Sequence, residues 1–133
     1  TMRLAEKLNH ESKKINKTQR IYCQINIGKD PQKTGFSKIE MQQNIKKILQ
    51  LKNLYFEGIM TILPQQITEE EMKLLYLETK TMRDEINKKY DKNLYLSMGM
   101  SNDYKLAIEC GATMVRIGTK LFGEKNEKHY YYT

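Results

Sequence analysis

Two short loops near the end of this chain carry residue types that hold phosphate. The first, Ser97-Met98-Gly99-Met100-Ser101, follows the run Leu94-Tyr95-Leu96. The second, Gly118-Thr119, follows Met114-Val115-Arg116-Ile117. Each is rich in Gly, Ser or Thr where a strand pattern gives way to a helix pattern. Loops of this kind bring bare backbone N–H groups and hydroxyls to a helix start, where an anion is favoured. The spacing predicts a phosphate cup at the end of a parallel sheet. Each loop alone also reads as an ordinary tight turn, because short Gly-Ser motifs match by chance. It is their pairing, each between a strand and a helix, that points to a ligand. Ser101 reads in addition as the N-cap of the helix that follows. Met60, Met98 and Met100 read as core or cavity filler. Arg116 is open to a buried ion pair with Glu57 or another carboxylate. Asn26 either points into the cavity or satisfies a neighbouring strand.

The elements that would position these residues alternate in type. Residues 2–16 carry Leu4, Leu8 and Ile15 among polar residues, an amphipathic helix. Residues 21–27 form a first strand, and the Gly- and Pro-containing stretch 28–35 a loop. Ser37 with Glu40 makes a capping box for a helix with Met41, Ile45, Ile48 and Leu49 on one face. The second strand is 55–63, closed by Pro64. Thr68 with Glu71 is a second capping box, and Ile67 can staple onto Met72. Leu75, Met82 and Ile86 of that helix face the core. The third strand is 94–98, a short helix ends at Gly111, and the fourth strand is 114–117. Strands alternating with helices mean βα units and a parallel sheet. A complete (β/α)8 barrel takes about 250 residues, so the 133 residues here hold about half of one. Residues 1–123 read as the domain and 124–133 as a polar, Tyr-rich tail.

Composition removes several function classes. The net charge is +7 and the pI about 9.3. The lysines are scattered over polar helix faces without a basic run or interleaved aromatics, which argues against specific nucleic-acid binding. No apolar run approaches the ~20 residues of a membrane span. The start, Thr1-Met2-Arg3-Leu4, lacks the layout of a secretory leader. Cys23 and Cys110 are far apart, with no CxxC spacing and no nearby His, so a metal site is not expected. They read as reduced core thiols of a cytoplasmic protein. His10 and His129 have no ligand spacing.

With these motifs in view, the chain resembles the YggS/PROSC family of pyridoxal-phosphate homeostasis proteins, whose fold is similar to the N-terminal barrel of alanine racemase. The resemblance is carried by 96–103 (Leu-Ser-Met-Gly-Met-Ser-Asn-Asp) and by 107–119 (Ala-Ile-Glu-Cys-Gly-Ala-Thr-Met-Val-Arg-Ile-Gly-Thr). It extends to Gly123, to Glu57-Gly58-Ile59-Met60-Thr61-Ile62, and to Gln24-Ile25-Asn26-Ile27 with Lys33 and Gly35 downstream.

The resemblance implies an α/β protein of parallel βα units, the C-terminal half of a (β/α)8 TIM-type barrel of fold type III. Thr1–Leu8 would correspond to the helix after the fourth barrel strand. It implies that the cofactor is pyridoxal 5′-phosphate (PLP), with Ser97 and Ser101 supplying hydroxyls, Met98 and Gly99 shaping the turn, and Gly118 and Thr119 supplying N–H groups and a hydroxyl. Arg116 would approach the pyridine nitrogen. The family's Schiff-base lysine lies at the end of its first strand. No lysine here matches it, and Lys29 and Lys120 fall in other motifs. The expectation is therefore a non-catalytic cofactor carrier present as a fragment. Its PLP binding would be weak or absent, with phosphate or sulfate able to substitute. PLP-dependent client enzymes would be its partners. The alternatives are an alanine-racemase-like enzyme and an inactive half-barrel that self-associates through open sheet edges.

Overall fold

A computed structural model describes residues 1–123. The expected polar tail, with His129 and the tyrosine run, lies outside the described residues. The chain runs α1 (Met2–Lys14), β1 (Gln19–Ile25), α2 (Lys38–Leu49), β2 (Leu54–Thr61), α3 (Glu69–Tyr90), β3 (Tyr95–Ser97), α4 (Tyr104–Glu109) and α5 (Thr119–Phe122). The strands form a parallel sheet in the order β1-β2-β3. The β1–β2 register shifts between Ile21 and Tyr22, so that Phe56 pairs with Ile21 and Gly58 with Tyr22. Glu57 is the extra residue of this bulge. Parallel strands require crossover connections, here α2 and α3. Among the described residues these are the βα units of part of a TIM-type barrel.

Both capping boxes form. The Ser37 hydroxyl accepts the Glu40 N–H and the Glu40 carboxylate accepts the Ser37 N–H. Thr68 and Glu71 repeat the arrangement at α3. These reciprocal bonds satisfy backbone donors that a helix start leaves open. α3 ends at Asp91, in the left-handed region, and its last turn carries Lys88 and Lys89, which suit the negative end of the helix.

One apolar core lies between the sheet and α2, α3 and α4. Ile25 and Cys23 from β1, Ile59 and Phe56 from β2, and Leu96 from β3 meet Met41, Ile45 and Ile48 of α2 and Tyr76, Met82 and Ile86 of α3. Met98 and Ala107 close its upper end. Both cysteines are buried and free.

One expectation is corrected. The predicted fourth strand over 114–117 is reduced to a single bridge, Ser97 to Met114. The Met98 N–H donates to the Met114 carbonyl at 3.1 Å and the Met114 N–H to the Leu96 carbonyl at 3.2 Å. β3 stops at Ser97 and the chain turns at Gly99, so the neighbouring segment has no longer ladder to join. The helix read over residues 2–16 forms as α1, and its apolar stripe lies on the surface: Leu4 is 55% and Ile15 70% exposed, while Ala5 and Ser12 are the buried positions. α1 packs on β1, β2 and α2 through its other side, and the Asn9 side chain accepts the Asn53 N–H at 2.8 Å. Amphipathic spacing marks an apolar face but does not say what covers it.

Burial pushes the Cys23 thiol from 9.0 up to about 12. Below pH 9 the thiol is neutral in both folded and unfolded chains and its effect is fully retained. Between about 9 and 12 the unfolded chain ionises while the native thiol does not, so stability falls as pH rises. Urea unfolding midpoints should drop across that window, and Cys23→Ala should show a shallower drop.

Candidate functional site

Parallel strands place all their C-terminal ends on one side, where the loops toward the following helices gather. Ser97, at the end of β3, is 2% exposed, and Met98 is fully buried beneath the loop. Gly99 adopts φ +101°, and a Cβ on it would lie 2.6 Å from the Ala107 methyl. Both the dihedral and the contact demand glycine. The sharp turn lets the Gly99 carbonyl accept the Arg116 N–H at 2.9 Å. The Ser97–Ser101 loop and the 114–120 segment are thereby joined.

Ser101 does something other than the expected capping of the next helix. α4 starts only at Tyr104, with Asp103 in the cap position and no side-chain cap bond. The reason is a turn between Met100 and Asp103: the Met100 N–H donates to Asp103 Oδ1 at 2.7 Å, and the Asp103 N–H to the Met100 carbonyl at 3.2 Å. Ser101 is carried across to α5. Its Oγ accepts the N–H groups of Gly118 at 3.3 Å and Lys120 at 3.2 Å. These are long bonds, and the hydroxyl proton remains available to a further acceptor. A Cβ on Gly118 would meet no atom within 4 Å, so the space above this turn is open. Thr119 follows in the first position of α5 and is exposed.

Arg116 is half-buried. Its Nη2 donates to the Thr61 carbonyl at the end of β2, at 2.8 Å. Its Nε is buried without a partner. Burial lowers its proton affinity, while Tyr76 and Asp103 act in the opposite direction. Guanidinium nevertheless stays charged in proteins. The alternative pairing with Glu57 is not formed: Glu57 faces Arg20 at 3.7 Å, on the N-terminal part of the sheet, and Arg116 reaches the other end.

Seven of the eight expected residues, Ser97, Met98, Gly99, Ser101, Arg116, Gly118 and Thr119, sit in β3, its loop and the segment beside them. Asn26 is two strands away, roughly 10 Å by parallel-strand spacing. Its amide is spent on the loop after β1: Nδ2 donates to the Asp30 carbonyl at 2.8 Å and the Lys33 carbonyl at 3.3 Å, and Oδ1 accepts the Asp30 N–H at 3.1 Å. Three participants were not expected: Thr61, Tyr76 and Asp103. Tyr76 lies among Met72, Thr79 and Met82 at helical spacing. A tyrosine in such a stripe needs a partner for its hydroxyl, and that was the available signal. Asp103, directly before the helix pattern, was another.

A parallel βα sheet with Gly, Ser and Thr loops at its C-terminal end defines the class: part of a TIM-type barrel. Residues 1–126 match the alanine racemase N-terminal domain, and the chain belongs to that family. Within it, the chain is 37% identical over 123 residues to the pyridoxal phosphate homeostasis protein of Aquifex aeolicus, covering 92% of this chain and 54% of that protein. It is 38% identical to the protein of the same name from Synechocystis, over 92% and 56% of the two. Among solved structures, PipY of Synechococcus elongatus without PLP superposes with a TM-score of 0.87 at 31% identity, over 92% of this chain and 58% of that one. The form with PLP bound gives 0.83 at 30%, over 92% and 57%. Alanine racemase of Clostridium difficile, at 20% identity and a TM-score of 0.78, over 96% of this chain and 34% or more of the racemase, shares the fold. The chain thus spans about half the length of the curated relatives it matches.

Gly99→Ala should lower unfolding stability by about 1–3 kcal/mol, the scale of a side chain forced into a strained backbone region. Urea denaturation measures this. An unchanged midpoint would mean the loop relaxes at no cost.

Proposed function

We propose that this chain carries the phosphate-holding part of a PLP-binding protein whose role is to bind and hand on the cofactor and not to catalyse with it. The observation that carries this reading is the meeting of Ser101 with the Gly118–Lys120 turn, beneath open space at the C-terminal end of the sheet. Two relatives are named pyridoxal phosphate homeostasis proteins, and a structural neighbour at 30% identity has PLP bound. Delivery to PLP-dependent enzymes in the cytoplasm would follow from such a role. Among the described residues no helix is long and apolar enough to cross a membrane.

The residues present fit a phosphate monoester. Ser101 has a free hydroxyl proton, and the α5 turn has donors that its long bonds to Ser101 hold only loosely. Ser97, Met98, Gly99, Gly118 and Thr119 would complete the cup. Asn26 would act by holding the 26–36 loop, not by contact. PLP supplies an electron sink when its ring nitrogen is protonated. An arginine facing that nitrogen would keep it unprotonated and weaken the sink, which suits carriage over amino-acid chemistry.

Charge-assisted contacts contribute about 1.5–3 kcal/mol each, against several kcal/mol of association cost. Binding through the cup alone should fall in the millimolar to high-micromolar range. Absorption titration with PLP, then borohydride reduction and intact mass, tests this. The expected result is weak binding that inorganic phosphate competes away, and a mass of 15.8 kDa without adduct. A retained adduct would assign a lysine of this chain to covalent attachment and remove the phosphate-only reading.

A second reading is association through the flanks of the sheet. It is favoured by Leu4, Leu8 and Ile15 exposed on α1 at one side, and by Ile108, Met114, Leu121 and Phe122 at the other, with Phe122 81% exposed. Contiguous exposed apolar surface and open strand edges invite pairing. Sedimentation velocity at micromolar concentration should give a mass above that of the monomer, and Leu4→Glu with Leu8→Glu should reduce it. A monomer at every concentration would exclude this reading.

A further inference from the structure

The loop that brings Ser101 to the α5 turn has little of its own to hold it. Met100 and Asn102 are exposed, and Ser101 and Asp103 are only partly buried. Asp103 is the hinge of the arrangement: one carboxylate oxygen takes the Met100 N–H, and the other takes the hydroxyl of Tyr76 from α3. Tyr76 is 1% exposed and belongs to the core cluster. Phenylalanine would fill the same apolar space. What tyrosine adds is a hydroxyl aimed out of the core at the loop.

We propose that Tyr76 is a positioning residue: through Asp103 it fixes the Met100–Ser101 backbone in the one arrangement that carries the Ser101 hydroxyl to the Gly118 and Lys120 N–H groups. Its consequence for ligand binding rests on the phosphate reading given above; its effect on the loop does not. The chain of contacts runs from the core-facing side of a long helix, through one side chain, to an otherwise exposed turn. A buried hydroxyl that finds its partner on a carboxylate makes a strong, directional bond. That bond ties a rigid element to a soft one. Without it, the Met100–Asp103 turn keeps only its own internal bonds, and the distance from Ser101 to the α5 turn is no longer set by the core.

The test compares Tyr76→Phe with Thr79→Val. Thr79 is a buried residue of the same helix whose hydroxyl bonds only to the Leu75 carbonyl and does not touch the loop. In assigned amide spectra of the unliganded chain, Tyr76→Phe should shift Met100, Ser101, Gly118 and Lys120. Thr79→Val should leave these four in place. Affinity for inorganic phosphate should fall three- to tenfold in Tyr76→Phe and stay within twofold in Thr79→Val. Asp103→Ala should reproduce the Tyr76→Phe shifts, the double variant should add nothing further, and Asp103→Asn, which keeps an acceptor for Met100, should restore part of the native pattern. Unmoved amides in Tyr76→Phe, or equal shifts in Thr79→Val, would overturn the proposal. If the parent chain binds no phosphate, the phosphate reading fails, while the amide shifts still decide the role of Tyr76.

Discussion

Parallel pairing is the constraint on which the rest of the structure depends. Antiparallel strands can return through a tight turn, but parallel ones need a crossover long enough to carry a helix. The helices bury one face of the sheet, and every strand then ends at the same side. Here the β1–β2 and β2–β3 ladders set that geometry. They bring Thr61, Ser97 and the start of the 99–103 loop to one rim, although 36 residues separate the first two in sequence. The Arg116 guanidinium reaches the Thr61 carbonyl only because both lie at that rim.

The rim is built from backbone groups more than from side chains. Gly99 lends its carbonyl to Arg116, Met100 its N–H to Asp103, and Gly118 and Lys120 theirs to Ser101. Such an arrangement is set by the path of the chain more than by residue type, because every residue other than proline carries a backbone donor and acceptor. Close approach of the backbone also explains the glycine at position 99. A Cβ at Gly99 would strike Ala107.

Much of the plan was legible in the primary structure because its signals are local. The two capping boxes need only residues three apart, and both formed at Ser37–Glu40 and Thr68–Glu71. The strands over 21–27, 55–63 and 94–98 were placed to within a few residues, since β-branched and aromatic runs bounded by Gly and Pro are read one segment at a time. The misreadings share a cause. The segment 114–117 has the composition of a strand, but a strand exists by virtue of its neighbour, and β3 ends too soon to provide one. Ser101 stands ahead of a helix pattern, but its hydroxyl goes to the α5 turn, which only the fold brings near.

The sequence alone determined the parallel α/β class, the capped starts of α2 and α3, and the two Gly, Ser and Thr loops that follow the strand patterns. Each follows from chemistry within a few residues of the chain. Tertiary structure alone decided that Ser101 serves α5 and not α4, that Arg116 answers to Thr61 and not Glu57, that Asn26 is spent on its own loop, and that Tyr76 reaches Asp103. The Asn26 bonds span 4 and 7 residues and the others 17 to 55, and only the fold decides which of the competing donors and acceptors come within hydrogen-bonding distance.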